Sequence, residues 1–310
     1  MLFLFGSKGA GRMNQKRLTV RYFLLSFAAG FLVLAVAAML VVLFVPPQMH
    51  RDLDTNEYQG AYLPSNEDAL NLLVVIERAS PEEEDSFLLI RFDPVRGQIP
   101  VLALPGRTLL EINNNTLSID NLYEYAGVKR VSGELADDLG VQIDRYIKMN
   151  KQNVIDLIDL LGGVRYRLNA PLTLSGGNVG TTLEAGNQQL SGSLFYEVMT
   201  YGGYPDGELG RARVMGELAC SLINQHGELI LTEESDALFE RIVNMVQTDF
   251  SAMDYTRIKP AARFLAQLRG EAAISIPITG NSNEQFEIFS LSKTALGQIQ
   301  EIYSPAQQHV

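Results

Sequence analysis

The feature that most constrains this chain is an uninterrupted run of uncharged, mostly apolar residues at positions 22–45. At about 1.5 Å of rise per residue, a helix of this length is roughly 36 Å long, which exceeds the roughly 30 Å hydrocarbon core of a bilayer. The run is apolar on every side and offers no polar stripe that would face water beside a folded core. The sequence therefore predicts a transmembrane helix at residues 22–45.

The residues before this run set the predicted direction of insertion. Residues 1–21 carry no acidic side chain and five basic ones, which are Lys8, Arg12, Lys16, Arg17 and Arg21. Because basic flanks stay in the cytoplasm, residues 1–21 are predicted to form a cytoplasmic head, with the rest of the chain outside the cell. A cleaved signal peptide is the alternative, but its apolar segment is usually about 7–15 residues long and ends in small residues. We therefore expect a single-pass protein of the cell membrane with an extracellular domain.

The 265 residues after the span are acidic and numerous enough to form one domain. The whole chain has a formal net charge of −11, so removing the five basic residues of the head leaves −16 on residues 46–310. A body of this charge argues against nucleic acid as a partner. Cys220 is the single cysteine, which excludes a disulfide framework, and its apolar helical context favours a buried packing role.

Composition divides the extracellular part into a linker, a folded domain and a tail. Residues 46–68 are polar and rich in turn-forming residues, as expected of an extended linker. Regular hydrophobic periodicity begins at Ala69. The domain is therefore predicted at residues 69–305 and a short tail at residues 306–310.

Hydrophobic patterns predict a mixed α/β domain. Short runs rich in Val, Ile, Leu and Phe at residues 70–76, 86–92 and 98–104 are separated by turn residues and predict neighbouring strands of one sheet. Residues 150–162 place apolar side chains at helical spacing after Asn150, a possible cap. Strand-like segments precede and follow this helix at 143–149 and 164–168, and further helices are predicted at 133–139, 191–200, 208–225, 235–245, 255–268 and 291–303. This order favours a mixed central β-sheet flanked by helices on both faces.

The motifs that carry chemistry in many enzymes are missing, since the sequence has no GxGxxG after a strand, no P-loop, no HExxH and no GxSxG. The informative signal is an ordered series of segments: NLLVVI at 71–76, DSFLLIRFDP at 85–94, VLALPGRT at 101–108, IDRY at 143–146, LLGGV at 160–164, LSG at 190–192, DGELGR at 206–211 and TDF at 248–250. In this order the segments resemble the LytR-CpsA-Psr (LCP) family of membrane-anchored cell-envelope proteins. The resemblance covers residues 69–305.

The resemblance implies a phosphotransferase that works outside the cytoplasmic membrane of a mostly Gram-positive cell. Such a protein takes a glycopolymer from a polyprenyl-pyrophosphate carrier and joins it to peptidoglycan. Members of the family hold the lipid tail in an apolar tunnel beside the sheet, bind the pyrophosphate with several arginines and use aspartates with Mg²⁺. Positioned cations suit this chemistry because phosphoryl transfer requires the charge on the phosphate oxygens to be neutralised.

Five residues of this sequence are candidates for the implied site. Asp85 keeps the carboxylate of the family's Arg-x-Asp-Thr signature and is the implied catalytic residue and Mg²⁺ ligand, although it also ends an ordinary acidic loop. Arg107 in PGRT and Arg211 in GELGR are implied pyrophosphate ligands, although an exposed helix position paired with Glu208 one turn earlier also accounts for Arg211. Arg213 belongs to the same late signature. Arg91 is a fourth candidate cation because a strand interior rarely holds an arginine, although an edge position explains it equally well.

Other positions depart from the family pattern, and they leave two hypotheses open. Glu83, Met199 and Val214 stand where the family has arginine and Met215 where it has glutamine, while Arg107 and Arg213 are displaced by one residue. Such a displacement turns a helical side chain by about 100° and moves a strand side chain to the opposite face. The first hypothesis is an active glycopolymer transferase. The second is a catalytically deficient relative that binds lipid or glycopolymer and regulates envelope assembly.

Overall fold

The structure, a computed structural model, describes residues 62–306 except residues 82, 114, 175–179, 269 and 284–287. The basic head, the predicted transmembrane helix at 22–45 and the linker as far as residue 61 therefore lie outside the described residues, as do the last four residues of the tail. In the described part, no helix is both long enough and apolar enough to cross a membrane.

The described residues form fourteen strands and seven α-helices. The strands are β1 (Leu70–Ile76), β2 (Ser86–Phe92), β3 (Ile99–Leu104), β4 (Leu109–Ile112), β5 (Asn115–Ser118), β6 (Arg145–Met149), β7 (Val164–Leu168), β8 (Leu172–Thr173), β9 (Thr182–Leu183), β10 (Gly186–Leu190), β11 (Gln247–Thr248), β12 (Ala273–Ser275), β13 (Gly280–Asn283) and β14 (Ile288–Leu291). The helices are α1 (Ile119–Leu139), α2 (Lys151–Leu160), α3 (Gly192–Met199), α4 (Gly207–His226), α5 (Ser235–Met245), α6 (Ala252–Gln267) and α7 (Lys293–Tyr303). Short 3₁₀ helices occupy Asn66–Asp68 and Gly227–Leu231.

The central sheet has the strand order β11-β6-β1-β2-β3-β12. The three apolar runs predicted as neighbouring strands are confirmed as β1, β2 and β3, which pair antiparallel. β6 lies parallel to β1 and β12 parallel to β3, so the sheet is mixed, as predicted. The predicted strand at 164–168 lies elsewhere and forms a two-stranded ribbon with β10. Only alternate residues of this strand are buried, which suits a ribbon that covers the core with one face.

Both faces of the central sheet are buried against helices. Leu73 and Val75 of β1 point to a core that includes residues of α1 and α7. Val74 and Ile76 point to a second core that includes residues of α2, α3 and α4. Burying each such side chain stabilises the fold by roughly 1.5–3 kcal/mol. The sheet is therefore the middle of three layers, and the predicted α/β fold is confirmed.

The predicted helix at 150–162 and the helices predicted after residue 190 are confirmed as α2 to α7. α2 begins after Asn150, whose side chain accepts a hydrogen bond from a backbone N–H of the first turn. α1 extends over 21 residues and is much longer than the predicted segment at 133–139. Gly127 interrupts this helix with a φ of 73°. Glycine adopts this left-handed conformation without a steric penalty, and the interruption breaks the periodicity from which a helix is predicted.

Arg91, a candidate pyrophosphate ligand, lies in a buried polar cluster between β2 and the end of α7. Its Nε donates to Asp93 Oδ2 at 2.9 Å, and its Nη1 donates to Asn71 Oδ1 at 3.0 Å and to the carbonyl oxygen of Tyr303 at 3.1 Å. Burial by itself raises the pKa of Asp93, but the hydrogen bonds from Arg91 and its other donors lower the pKa below its usual value. Arg91 is therefore the counter-ion of a buried carboxylate.

Replacing Arg91 with Met is expected to destabilise the domain by about 3–5 kcal/mol, because the Asp93 carboxylate loses its buried counter-ion and keeps only the partly exposed Arg96. Arg96 provides a matched control, since its Nη1 lies 2.7 Å from the same Asp93 oxygen while its side chain is partly exposed. Arg96→Met is expected to reduce the free energy of unfolding by about 1 kcal/mol or less. Urea unfolding of the full-length chain in detergent, followed by circular dichroism, measures both values. Equal losses in the two variants would contradict this assignment.

Candidate functional site

The strands of the central sheet bring several charged segments together at one end. β1 and β3 end at this edge and β2 begins there, so residues 77–81, 83–85 and 105–107 lie close to the first turns of α1 and α4. These segments surround a polar cleft of about 1050 Å³. Its charged lining residues are Arg78, Glu83, Glu84, Arg107, Asp120, Glu124, Asp206, Glu208 and Arg211.

Two of the predicted pyrophosphate ligands, Arg107 and Arg211, meet at one carboxylate of the cleft. Arg107 Nε donates to Glu84 Oε1 at 2.9 Å. Arg211 Nη2 lies 3.9 Å from the other oxygen of this carboxylate, Oε2. The structure therefore brings together the two arginines that the family resemblance assigned to the pyrophosphate.

Arg211 is fixed in the cleft by several contacts. Its Nε donates to Glu208 Oε2 at 2.7 Å, one turn earlier in α4, and its Nη1 donates to Ser86 Oγ at 2.9 Å. Only 4 % of the residue is exposed. Because the guanidinium would lose these bonds if it moved, its position is preorganised before any ligand binds.

A third arginine of the cleft, Arg78, was not among the predicted site residues. It follows β1 within two residues, and its Nη2 lies 3.3 Å from Glu124 Oε2. β1 and β3 run in the same direction, so the residues that follow the two strands meet at one edge of the sheet. Arg78 follows β1 as Arg107 follows β3, and this equivalent position is the feature of the sequence that indicates Arg78 as a site residue.

Asp85, the predicted catalytic residue and Mg²⁺ ligand, points away from the two converging arginines. Its Oδ1 accepts the backbone N–H of Arg78 at 2.8 Å, and burial raises its pKa although this hydrogen bond opposes the shift. Successive side chains of an extended segment point to opposite sides. Ser86 and Glu84 therefore face Arg211 on α4, whereas Asp85 lies on the side of α1. Among the described lining residues, the carboxylate that both Arg107 and Arg211 approach is thus Glu84, one position before Asp85.

Asp120, in the first turn of α1, is a further carboxylate that was not among the predicted site residues. Burial and the nearby carboxylates of Glu84 and Asp85 raise the pKa of Asp120 to about 7. Its Oδ1 has no hydrogen-bond partner among the described residues. Gly106 leaves room for this oxygen, since a Cβ at residue 106 would lie only 2.2 Å from it. The cleft therefore contains a carboxyl group that titrates near neutral pH and has an open acceptor.

Arg213, another predicted pyrophosphate ligand, is not part of the described lining of the cleft. Two residues along α4 from Arg211 correspond to a turn of about 200° around the helix axis. The Arg213 side chain is 55 % exposed, and its Nη1 donates to Asp206 Oδ2 at 3.0 Å. Two of the predicted pyrophosphate ligands, Arg91 and Arg213, therefore do not lie beside Arg107 and Arg211.

Carboxylates outnumber cations in the described lining of the cleft, where three arginines face six Asp and Glu side chains. Each arginine also has an acidic partner, and these pairs are Arg78 with Glu124, Arg107 with Glu84, and Arg211 with Glu208. Net charge therefore does not attract a diphosphate to the cleft. Binding requires either a rearrangement of these pairs or an additional cation.

A separate apolar cavity of about 700 Å³ lies beside the other end of the sheet. Leu72, Ile90 and Ile147 line it from the sheet, and Phe239 of α5 and Ile258 of α6 line it from the helices. The start of β1 borders this cavity and its end borders the cleft, a separation of roughly 20 Å along the strand. The cavity and the cleft have no described lining residue in common.

Met199, which stands where the family pattern has arginine, and Met215, which stands where it has glutamine, belong to the packed core of this face of the sheet. They are 1 % and 2 % exposed and share this core with Val74 and Leu88. α4 lines the cleft at Arg211 and the cavity near its other end, and Met215 lies between these two points. Apolar packing therefore separates the cleft from the cavity.

The raised pKa of Asp120 predicts a pH dependence of stability. Its pKa is about 7 in the folded chain, above the ordinary value of 3.8. The folded state therefore binds this proton more tightly, and the resulting stabilisation is complete below about pH 4 and is lost as the pH rises through 7. We expect this group to lower the free energy of unfolding by about 2–3 kcal/mol between pH 5 and pH 8.

Urea unfolding at pH 5 and pH 8 measures this effect in the wild type and in Asp120→Asn. The variant is expected to lose the part of the dependence that comes from Asp120, about 2–3 kcal/mol, because residue 120 then has no proton to release. Asp206→Asn changes an exposed carboxylate of the same cleft and is expected to keep the wild-type dependence. An unchanged pH dependence in Asp120→Asn would contradict the assignment.

The chain is similar to one protein family and to several relatives within it. The family model described as LytR_cpsA_psr family matches residues 48–304. The polyisoprenyl-teichoic acid–peptidoglycan teichoic acid transferase TagU of Bacillus mycoides is 27 % identical over 152 residues, which cover 46 % of this chain and 49 % of that protein. The chain spans about half the length of the curated relatives it matches.

Solved structures share the fold described above. TagV of Bacillus subtilis has a TM-score of 0.64 at 16 % identity, over 76 % of this chain and 95 % of that chain. TagT bound to LI-WTA has a TM-score of 0.61 at 17 % identity, over 78 % of this chain and 93 % of that chain. At these identities the likeness concerns the fold alone. Because the family model extends over most of its length, the chain belongs to the LytR_cpsA_psr family.

Proposed function

We propose that this protein is a membrane-anchored, extracellular transferase that moves a glycopolymer from a polyprenyl-pyrophosphate carrier to peptidoglycan. The observation that carries this proposal is the convergence of Arg107 and Arg211 on the two oxygens of Glu84, at 2.9 Å and 3.9 Å. Two guanidinium groups arranged around one anion suit the oxygens of a phosphate group. The name of the TagU relative and the complex of TagT with LI-WTA support this choice of substrate class.

The anchor in this proposal is the apolar run at residues 22–45, which is long enough to span a bilayer. The five basic residues before it support a cytoplasmic N-terminus. The domain would then face the cell wall, which is the compartment that contains peptidoglycan. Anchoring also keeps the cleft near a carrier whose lipid tail is confined to the membrane.

The cleft arginines would act on the charge of the transferred phosphate. Arg211, held by Glu208 and Ser86, is a fixed cation that needs little reorganisation when charge develops on the phosphate oxygens. The Arg107 side chain is 43 % exposed and would approach the ligand from the rim of the cleft. Together the two residues bind the substrate and stabilise the transition state.

Mg²⁺ is implied by the family resemblance, and Asp120 is the cleft residue that suits it best. The described residues contain no group of three or more His, Cys, Asp or Glu side chains that would hold a metal ion. Mg²⁺ commonly uses only one or two carboxylates and takes its other ligands from substrate phosphates and water. The open Oδ1 of Asp120 fits such a role, whereas Asp85 already accepts the N–H of Arg78. A bound metal would supply positive charge that the acidic lining lacks.

The apolar cavity beside the sheet is the proposed site of the prenyl tail. Its lining is aliphatic and aromatic, and it lies on the same face of the sheet as Glu84 and Ser86. Met215 of α4 lies between the cavity and the cleft and shares its packed core with Met199. Methionine side chains are unbranched and flexible, so this part of the core is the one best suited to rearrange when a ligand bridges the two.

The same two methionines favour a second candidate function, a catalytically deficient relative that binds lipid or glycopolymer and regulates envelope assembly. Met199 replaces an arginine of the family pattern and Met215 replaces a glutamine, and Val214 beside it replaces a second arginine; all three are buried. The cleft arginines are also paired with the chain's own carboxylates. In this alternative, the cavity binds a lipid tail but no phosphoryl group is transferred.

A transfer assay tests the first function. The full-length protein in detergent micelles, with Mg²⁺, a polyprenyl-pyrophosphate-linked saccharide and peptidoglycan, is expected to link the saccharide to peptidoglycan. Arg211→Gln is expected to lower kcat/KM by a factor of about 10²–10³, because it removes a preorganised cation from the transition state. Arg213→Gln changes an exposed arginine of the same helix and is expected to alter the rate by less than about twofold.

Circular dichroism shows whether the buried Arg211→Gln variant folds, and Arg107→Gln provides a second variant at a more exposed position. Equal losses of activity in the Arg211 and Arg213 variants would contradict the proposed site. A wild-type protein that binds the lipid-linked saccharide but transfers nothing, beside an active TagU relative, would establish the second function instead.

A further inference from the structure

Glu84 occupies the position between two arginine head groups that the proposed function gives to a phosphate. One carboxylate oxygen, Oε1, accepts a hydrogen bond from Arg107 at 2.9 Å, and the other, Oε2, lies 3.9 Å from Arg211. A phosphate group presents two oxygens to a pair of guanidinium groups in the same manner. The Glu84 carboxylate therefore resembles one phosphate of the expected ligand in charge and position.

The environment of Glu84 also disfavours its charged form. Burial and the neighbouring Glu208 raise the pKa of Glu84, although Arg211 and Arg107 lower it in part. Its Oε2 has no hydrogen-bond partner among the described residues. A buried carboxylate with an unsatisfied oxygen beside a second carboxylate is an imperfect partner for the arginines. An anion with more charge and more acceptor oxygens is therefore able to replace it.

The Glu84 side chain is able to move away from the two arginines toward solvent. It belongs to the connection before β2, which begins at Ser86, and its side chain is 17 % exposed. Rotation about its side-chain bonds moves the carboxylate toward solvent without moving the strand. Glu83 is held differently, because its Oε2 accepts hydrogen bonds from the Tyr196 hydroxyl at 2.9 Å and from the Ala79 N–H at 3.0 Å.

We infer that Glu84 is a built-in competitor of the diphosphate, which fills the arginine pair in the absence of ligand and leaves it when the diphosphate binds. This inference rests on the proposed function, because it takes Arg107 and Arg211 as the diphosphate site. An anion that merely replaces Glu84 gains little, since one charged partner is exchanged for another. A diphosphate gains additional contacts within the cleft, so Glu84 determines both the affinity and the selectivity of the site.

Calorimetric titration of the full-length chain in detergent micelles with inorganic pyrophosphate and Mg²⁺ tests this inference. Glu84→Gln keeps the shape of the side chain and removes the competing charge, so we expect pyrophosphate to bind at least about tenfold more tightly than to the wild type. Glu83→Gln removes an equal charge from a residue that is held by Tyr196 and Ala79. We expect this matched control to change the affinity by less than about threefold.

The double variant Glu84→Gln/Arg107→Gln is expected to lose the gain, because the competition operates through the arginine. Affinity that is unchanged or weaker in Glu84→Gln would overturn the inference and leave the proposed function intact. If neither the wild type nor Glu84→Gln binds pyrophosphate while a TagU relative does, the proposed function fails as well. Circular dichroism checks the folding of each variant, and Glu84→Ala replaces Glu84→Gln if that variant does not fold.

Discussion

The alternation of side chains along β1 and β2 is the constraint on which the rest of this structure depends. Both faces of the central sheet are buried, so a shift of one residue in either strand would exchange the two cores. The same register sets the direction of the residues that enter β2. Phe87 and Leu88 pack on opposite faces, and with them Asp85 lies on the side of α1 while Glu84 faces Arg211. The chemistry of the cleft thus follows from the packing of the strand beside it.

The protein balances the charges of this cleft with its own carboxylates. Unpaired charges are unfavourable in a partly buried site, and a site that is empty during part of a reaction cycle needs internal counter-ions. Glu84, Glu124 and Glu208 fill this role for the three cleft arginines. The affinity for an external anion is then a difference between two sets of partners, not the attraction of bare cations. The raised pKa of Asp120 results from the same crowding of carboxylates.

A charged cleft and an apolar cavity on one sheet are the two environments that an amphiphilic ligand needs. They lie roughly 20 Å apart along β1, and the core between them includes Met199 and Met215. α4 contributes Arg211 to the cleft and Ile223 to the cavity. One helix therefore reaches from the charged cleft to the apolar cavity. Flexible methionines at the positions between them are compatible with either a closed or an opened path.

Local patterns were sufficient to predict β1 to β3 and helix α2 with its Asn150 cap, and the series of family segments singled out Arg107 and Arg211, which approach one carboxylate in the structure. Such features depend on neighbours within a few residues, which the sequence displays directly. The sequence could not predict that Glu84, and not Asp85, faces the arginines. This depends on the direction of each side chain relative to two helices that are distant in the sequence. Arg107 meets Glu84 across 23 residues and Arg211 meets Ser86 across 125. The sequence by itself therefore determined the elements and the family, whereas only the tertiary structure decided which charges pair, since that depends on which strands and helices are neighbours in space.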